Sequence, residues 1–103
     1  VTVIPVTPWG NFTPGLNALL SFAARDNADL ILYQSLETLA SAKTVAHMTS
    51  HLGPDDLVVG AALQGHSFQP GGGQGRGEIP VTGVTSPWNT LAMWDVRKLG
   101  LTG

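Results

Sequence analysis

The stretch Asp29-Leu30-Ile31-Leu32-Tyr33 decides the predicted fold, because it is a nearly continuous apolar run of strand length. A run of this kind is typical of a strand in a parallel sheet that helices cover on both faces. A second run of the same character, Asp56-Leu57-Val58-Val59-Gly60-Ala61-Ala62-Leu63, follows later in the chain. The two runs predict two buried strands of one sheet.

Helical patterns flank the first run. Thr13-Pro14 supplies an N-cap hydroxyl and a proline at the first helical position, and apolar residues then recur at helical spacing to about residue 27. A second helix is predicted from about Thr38 to Gly53-Pro54, where the glycine and the proline end it. Ser86-Pro87 repeats the start signal of the first helix, so it predicts a third helix over 88–99.

The N-terminal segment completes the predicted sheet. Residues 1–6 are mostly β-branched and predict a strand near a sheet edge, where Pro5 is tolerated. The predicted order is then strand, helix, strand, helix, strand, loop, helix. Right-handed crossovers make this an α/β three-layer sandwich with a mostly parallel sheet. Residues 1–103 then form a single domain, or part of a larger one.

Composition narrows the class of protein. Charged residues make up 12% of the chain, against about 25% in an average soluble domain. The absence of cysteine excludes disulfides and thiolate metal sites and fits a reducing compartment, so we expect a cytoplasmic protein. A formal charge of −2 provides no basic patch for nucleic acid, and no apolar run has the length of a membrane span. The low charge indicates surfaces that a second subunit or further chain segments cover.

Polar residues follow the first buried strand. In open α/β sheets, ligands bind beyond the carboxyl ends of the strands. Gln34 and Ser35 can donate hydrogen bonds to a ligand there, and Glu37 can hold a metal ion. Alternatively, Ser35 or Thr38 caps the second helix and Glu37 complements its dipole. Both interpretations stay open.

A long flexible loop is predicted over 65–85, because the segment has no helical period and five of the 13 glycines lie within 71–77. Its Gly-x-Gly spacings lack the strand and helix context of a phosphate-binding loop. Arg76 can contact a phosphate as part of a lid, or it can face water.

Three histidines and one tryptophan are further candidates. His47 and His51 stand one turn apart, a spacing that can place two imidazoles on one metal ion, although solvated histidines are the alternative. His66 follows the second buried run at the predicted ligand edge and is a candidate metal ligand; the three histidines together would suit a metal-dependent hydrolase. Trp88 and Asn89 begin the predicted third helix and can border an acceptor, with core packing as the alternative for the ring.

The order of these segments resembles that of the GT-A-type, family 2-like glycosyltransferases, which use nucleotide-diphospho-sugar donors. Gly15-Leu16-Asn17-Ala18 is similar to their Arg-Asn-x-Gly helix start, and 29–33 is similar to the strand that leads into their Asp-x-Asp motif. Segment 56–60 is similar to the following strand, and 86–103 is similar to a helix that ends in a Leu-Gly-Gly-Phe type of turn. The resemblance implies a GT-A or Rossmann-like form of the predicted sandwich.

The resemblance also implies a function, the transfer of a sugar from a nucleotide-sugar donor to an acceptor of unknown identity. It places the donor, the acceptor and a Mg²⁺ or Mn²⁺ ion near these residues: Asn17, Gln34, Ser35, Glu37 and Arg76 for the donor, Glu37 for the metal, and Trp88 and Asn89 for the acceptor. Gln34-Ser35-Leu36-Glu37 stands where the family has Asp-x-Asp, so one carboxylate replaces two. A non-catalytic α/β binding or assembly domain with a degenerate metal site, working as a homo-oligomer, is the alternative.

Overall fold

The computed structural model describes residues 1–67 and 80–102 of the chain. Their helices and strands follow in the order α1 (Phe12–Arg25), β1 (Leu30–Gln34), α2 (Ala42–His51), β2 (Val58–Gly60), β3 (Leu91–Asp95) and α3 (Val96–Gly100). The three strands form one sheet in the order β1-β3-β2, and β3 is antiparallel to both of its neighbours.

The predicted mostly parallel three-layer sandwich is therefore wrong, because the segment predicted as a helix over 88–99 contains the central strand of the sheet. Leu91, Ala92 and Met93 are all buried. An apolar segment that is buried on both faces has no clear period, so a central strand and a buried helix look alike in sequence. Only the residues after Asp95 form a helix, and the Asp95 carboxylate caps it by accepting a hydrogen bond from the Lys98 N–H at 2.8 Å.

The strand predicted over 1–6 is also wrong. This segment forms no strand, Val1 and Val3 are exposed, and no backbone hydrogen bond within the described residues involves it. β-Branched residues favour strands only where a neighbouring strand pairs with their backbone groups.

The helices before and after β1 confirm the sequence prediction, with shifted starts. α1 begins at Phe12, and its N-cap residue Asn11 makes no side-chain capping bond. α2 begins at Ala42, because the Ser41 hydroxyl accepts a hydrogen bond from the Thr44 N–H at 3.1 Å. The predicted capping of α2 by Ser35 or Thr38 is thus wrong.

The core lies between α2 and one face of the sheet. Met48 of α2 contacts Leu91 and Met93 of β3 in a buried cluster, and the Thr49 hydroxyl donates to the Met93 sulfur at 3.3 Å. Partly buried apolar side chains surround this cluster: Leu30, Leu32, Ala40, Val45, Leu52, Val59 and Ala61. α1 packs on β1 and α3, where the Tyr33 hydroxyl donates to the Leu16 carbonyl at 2.9 Å.

Candidate functional site

One end of the sheet brings together candidate residues from three separate segments. β1 and β2 are each antiparallel to β3, so they run in the same direction and end on the same side of the sheet. Gln34–Glu37 leaves β1 there, His66 lies in the loop after β2, and Trp88–Asn89 enters β3 there. The three segments therefore lie at the same end of the sheet, because the central strand starts where its neighbours end.

A hollow of about 390 Å³ lies beside β1. Three consecutive residues of the strand, Leu32–Gln34, line it, and successive side chains alternate between the two faces of a strand. A hollow that touches all three therefore follows the outer edge of β1. The other lining residues are Ile4, Val6, Trp9, Phe12, Gly15, Leu16, Ala18, Leu19, Ser35 and Asn89. Among the described residues that line the hollow, none is an acid, a lysine, an arginine or a histidine.

Two aromatic residues that line the hollow, Trp9 and Phe12, were not among the site residues predicted from the sequence. Trp9 is 74% exposed and Phe12 is 68% exposed. The Trp9 ring packs over α1 so closely that a Cβ at Gly15 would lie 3.3 Å from its Cζ3 atom. Two large aromatic side chains in a short uncharged turn were the available signal, since such residues are costly to leave in water.

Tyr33 lines the hollow and also bonds to α1. Its ring is buried, and burial raises the pKa of the Tyr33 hydroxyl because the phenolate would lose its hydration. The neutral hydroxyl donates to the Leu16 carbonyl, so it holds α1 against β1. The structure thus gives Tyr33 a positional role.

The polar residues after β1 bond mainly to one another. The Gln34 amide donates to the Thr38 carbonyl, and the Ser35 hydroxyl lies 3.4 Å from the Thr38 hydroxyl. Glu37 is exposed, and a hydrogen bond from the Ser35 side chain lowers the pKa of its carboxyl group. Glu37 is therefore an ionised group facing water.

His66 joins the loop after β2 to the segment before β3. Its Nδ1 atom accepts the Leu63 N–H at 2.9 Å, so Nε2 carries the hydrogen and donates to the Ser86 carbonyl at 3.1 Å. The ring stacks on Trp88 with 4.1 Å between centroids, and the Trp88 indole donates to the Gly83 carbonyl. In this arrangement neither nitrogen of His66 presents a lone pair to a metal ion.

Asn89 lies between two hollows. Its side-chain oxygen accepts a hydrogen bond from the Trp94 indole at 2.9 Å. It lines the hollow beside β1 and also a groove of about 560 Å³ between α1 and α3. Asn17 lines only that groove, so the structure separates it from Gln34 and Ser35.

The candidate metal ligands do not come together among the described residues. His47 and His51 are exposed, with their ring centroids 4.6 Å apart, and no third ligand joins them. Across 1–67 and 80–102, no group of three or more His, Cys, Asp or Glu side chains is arranged to hold a metal. Arg76 and the glycines of 71–77 lie outside the described residues, as does most of the predicted loop over 65–85.

No helix among the described residues combines the length and hydropathy that a bilayer crossing requires. In comparisons with known proteins, no protein family, no curated protein and no solved structure matches the chain.

Proposed function

We propose that the chain is a non-catalytic assembly module that contacts another protein chain through the hollow beside β1. The observation that carries this proposal is the character of the hollow, which is uncharged and has the exposed rings of Trp9 and Phe12 at its rim. Exposed apolar surface of this kind is typical of interaction sites, and aromatic residues are enriched at the centres of protein interfaces.

The uncharged lining described for the hollow disfavours the binding of an anionic small molecule. A diphosphate is bound through positively charged side chains, a metal ion or aligned backbone N–H groups. The described part of the lining supplies no positive side chain, and Glu37, the ionised group after β1, is negative. The amide of Gln34 and the side-chain oxygen of Asn89 already have partners inside the protein.

Sedimentation velocity over a wide range of protein concentration tests the assembly function. We expect reversible self-association that Phe12→Ser weakens. Leu101→Ser is the matched control, because Leu101 is 81% exposed but does not line the hollow. A monomer at every concentration would contradict the proposal, and so would equal effects of the two substitutions.

We propose sugar transfer from a nucleotide-sugar donor as the second candidate function. The observation in its favour is that Gln34, Ser35 and Asn89 share one hollow although they come from separate segments, which the resemblance assigns to donor and acceptor. Ligand sites commonly combine apolar and aromatic walls with a few polar groups, and Trp9 and Phe12 can supply such walls. The reacting groups are unassigned, because Gln34-Ser35-Leu36-Glu37 supplies one carboxylate where the resembled family has two.

Calorimetry with a panel of nucleotide sugars, with and without Mn²⁺, tests this second function. We expect binding heat for at least one donor and a weaker signal for Gln34→Ala. His47→Ala is the control, since His47 is exposed on α2 and does not line the hollow. The absence of binding heat for every donor would contradict sugar transfer and leave the assembly function standing.

A further inference from the structure

The outer edge of β1 presents backbone groups that have no partner among the described residues. The Asp29 carbonyl accepts from the Val96 N–H and the Ser35 N–H donates to the Thr90 carbonyl, both at 3.0 Å. Bonds to a neighbouring strand alternate along an antiparallel strand. The N–H and C=O groups at positions 30, 32 and 34 therefore point away from β3. No hydrogen bond within the described part of the chain reaches these groups.

This edge also lacks the usual protection. Natural edge strands carry charges, prolines or bulges that discourage pairing with other chains. The sequence of β1, Leu-Ile-Leu-Tyr-Gln, contains none of these, and Asp29 and Glu37 lie beyond its two ends. The hollow runs along this edge, and Ile4 and Val6 also line it. Space for a further strand thus lies next to the unpaired backbone groups.

A segment suited to fill that space is present in the same chain. Val1–Ile4 reads Val-Thr-Val-Ile, so all four residues are β-branched and none is charged at its side chain. Val1 and Val3 are exposed, and this segment takes part in no backbone hydrogen bond among the described residues. The molecule therefore has both an unpaired strand edge and a strand-forming segment outside its sheet.

We infer that two copies of the chain exchange these segments, so that Val1–Ile4 of each copy adds as a fourth strand to the β1 edge of the other. The inference rests on the assembly function proposed above and names its partner. Reciprocal exchange closes as a twofold dimer, and main-chain hydrogen bonds supply the affinity of an added strand. Because neither strand carries a charged side chain, their pairing brings no like charges together. Pro5 ends the added strand.

Proline substitutions in the exchanged segment test this pairing by sedimentation equilibrium. Consecutive residues of a strand direct their N–H groups to opposite sides, so the double variant Thr2→Pro with Val3→Pro removes a donor in either register. We expect the unchanged chain to dimerise and this variant to remain monomeric. Thr2→Ser with Val3→Ile keeps both N–H groups and should dimerise like the unchanged chain. Urea unfolding should show equal stability for the monomers, since the segment makes no backbone bonds there.

Two results would overturn the exchange. A proline variant that still dimerises would exclude this strand pairing, and it would leave assembly through the hollow intact if Phe12→Ser still weakened the dimer. Hydrogen exchange at the Leu32 N–H provides the second readout. We expect that N–H to be protected only at concentrations where dimers form. Protection in a monomer would place the added strand in the same copy and contradict exchange, and a chain that never dimerises would contradict both proposals.

Discussion

The two edges of the sheet differ in length and in protection. β1 has five residues and β2 has three, and each pairs with β3 on its inner side only. The outer edge of β1 is apolar, lacks charged residues and borders a hollow. At β2, Leu57 and Ala61 bond to β3, so only positions 58 and 60 direct backbone groups outward.

Hydrogen bonds and close packing also hold the residues next to β2 in place. The Asp56 carboxylate accepts the Gly53 N–H at 2.8 Å, and the Lys98 ammonium donates to the Asp56 carbonyl at 2.7 Å. Pro87 lies directly against Gly60. Short length, nearby charge and close packing are the ways in which proteins protect sheet edges. Among the described residues, the outer edge of β1 is therefore the less protected of the two sheet edges.

The largest expected effect comes from Met93, a residue of the central strand that pairs with both edge strands. Met93 pairs with Leu32 of β1 and with Val59 of β2, and it is 3% exposed. Met93→Ala should lower the free energy of unfolding by about 2–5 kcal/mol, because it leaves a cavity in the core. Urea denaturation measures the loss, and Leu101→Ala, at an exposed position, is the control. A loss no larger than that of the control would contradict the assignment of this core.

Gly60→Ala tests the close packing at the β2 edge of the sheet. A Cβ at Gly60 would lie 2.5 Å from the Pro87 Cβ atom and 3.0 Å from its Cα atom, so the backbone before β3 would have to move. We expect a loss of about 1–3 kcal/mol in the free energy of unfolding, the usual cost of overpacking. Gly83→Ala is the matched control, because nothing lies within 4 Å of a Cβ there. Equal stabilities of the two variants would contradict the close packing of Pro87 against Gly60.

Tyr33→Phe changes β1, the edge strand beside the hollow. The substitution removes the hydrogen bond from the Tyr33 hydroxyl to the Leu16 carbonyl. Urea denaturation at neutral pH should show a loss of about 1 kcal/mol, the net value of one such bond. The folded protein raises the pKa of Tyr33 above its ordinary value of 10.0. The stability that the neutral hydroxyl contributes is therefore present below that value and is lost as the pH rises through the folded pKa. The variant should show a smaller alkaline loss than the unchanged chain, and an identical loss would contradict the role of Tyr33.

The strands β1 and β2 could be predicted from sequence, whereas the sheet topology and their place at its two edges could not. The runs at 29–33 and 56–63 are short and bounded by helical patterns, so they were correctly identified as strands, with the second shortened to 58–60. The segment Leu91–Asp95 contains residues that suit helices, and Ser86-Pro87 before it resembles a helix start. Its strand conformation comes from pairing with β1 and β2 on both sides, which no local pattern expresses.

The candidate site was predicted only in part, for the same reason. Polar residues after a strand indicate the end of a sheet, and Gln34 and Ser35 lie there. Asn89 was predicted at the start of a helix, and it lines the same hollow because it precedes β3. The partners that engage His66 come from the backbone of Leu63 and Ser86, and backbone partners leave no trace in residue identity. The sequence did not predict that β1 pairs on one side only, because the place of a strand in a sheet depends on which strands lie next to it.

Ser35→Ala carries the smallest expected effect and tests the turn that follows the open edge. The Ser35 side chain is the main cause of the lowered pKa of Glu37, and removing it should return that pKa toward its ordinary value of 4.5. A lowered pKa contributes stability above the unfolded value that is lost as the pH falls through the folded one. Glu37 is exposed, so we expect a shift in its NMR titration with no measurable change in unfolding. Ser50→Ala, at an exposed position on α2, should leave the titration unchanged. An unchanged Glu37 pKa in Ser35→Ala would mean that the Ser35 side chain does not bond to Glu37 and does not order the turn after β1.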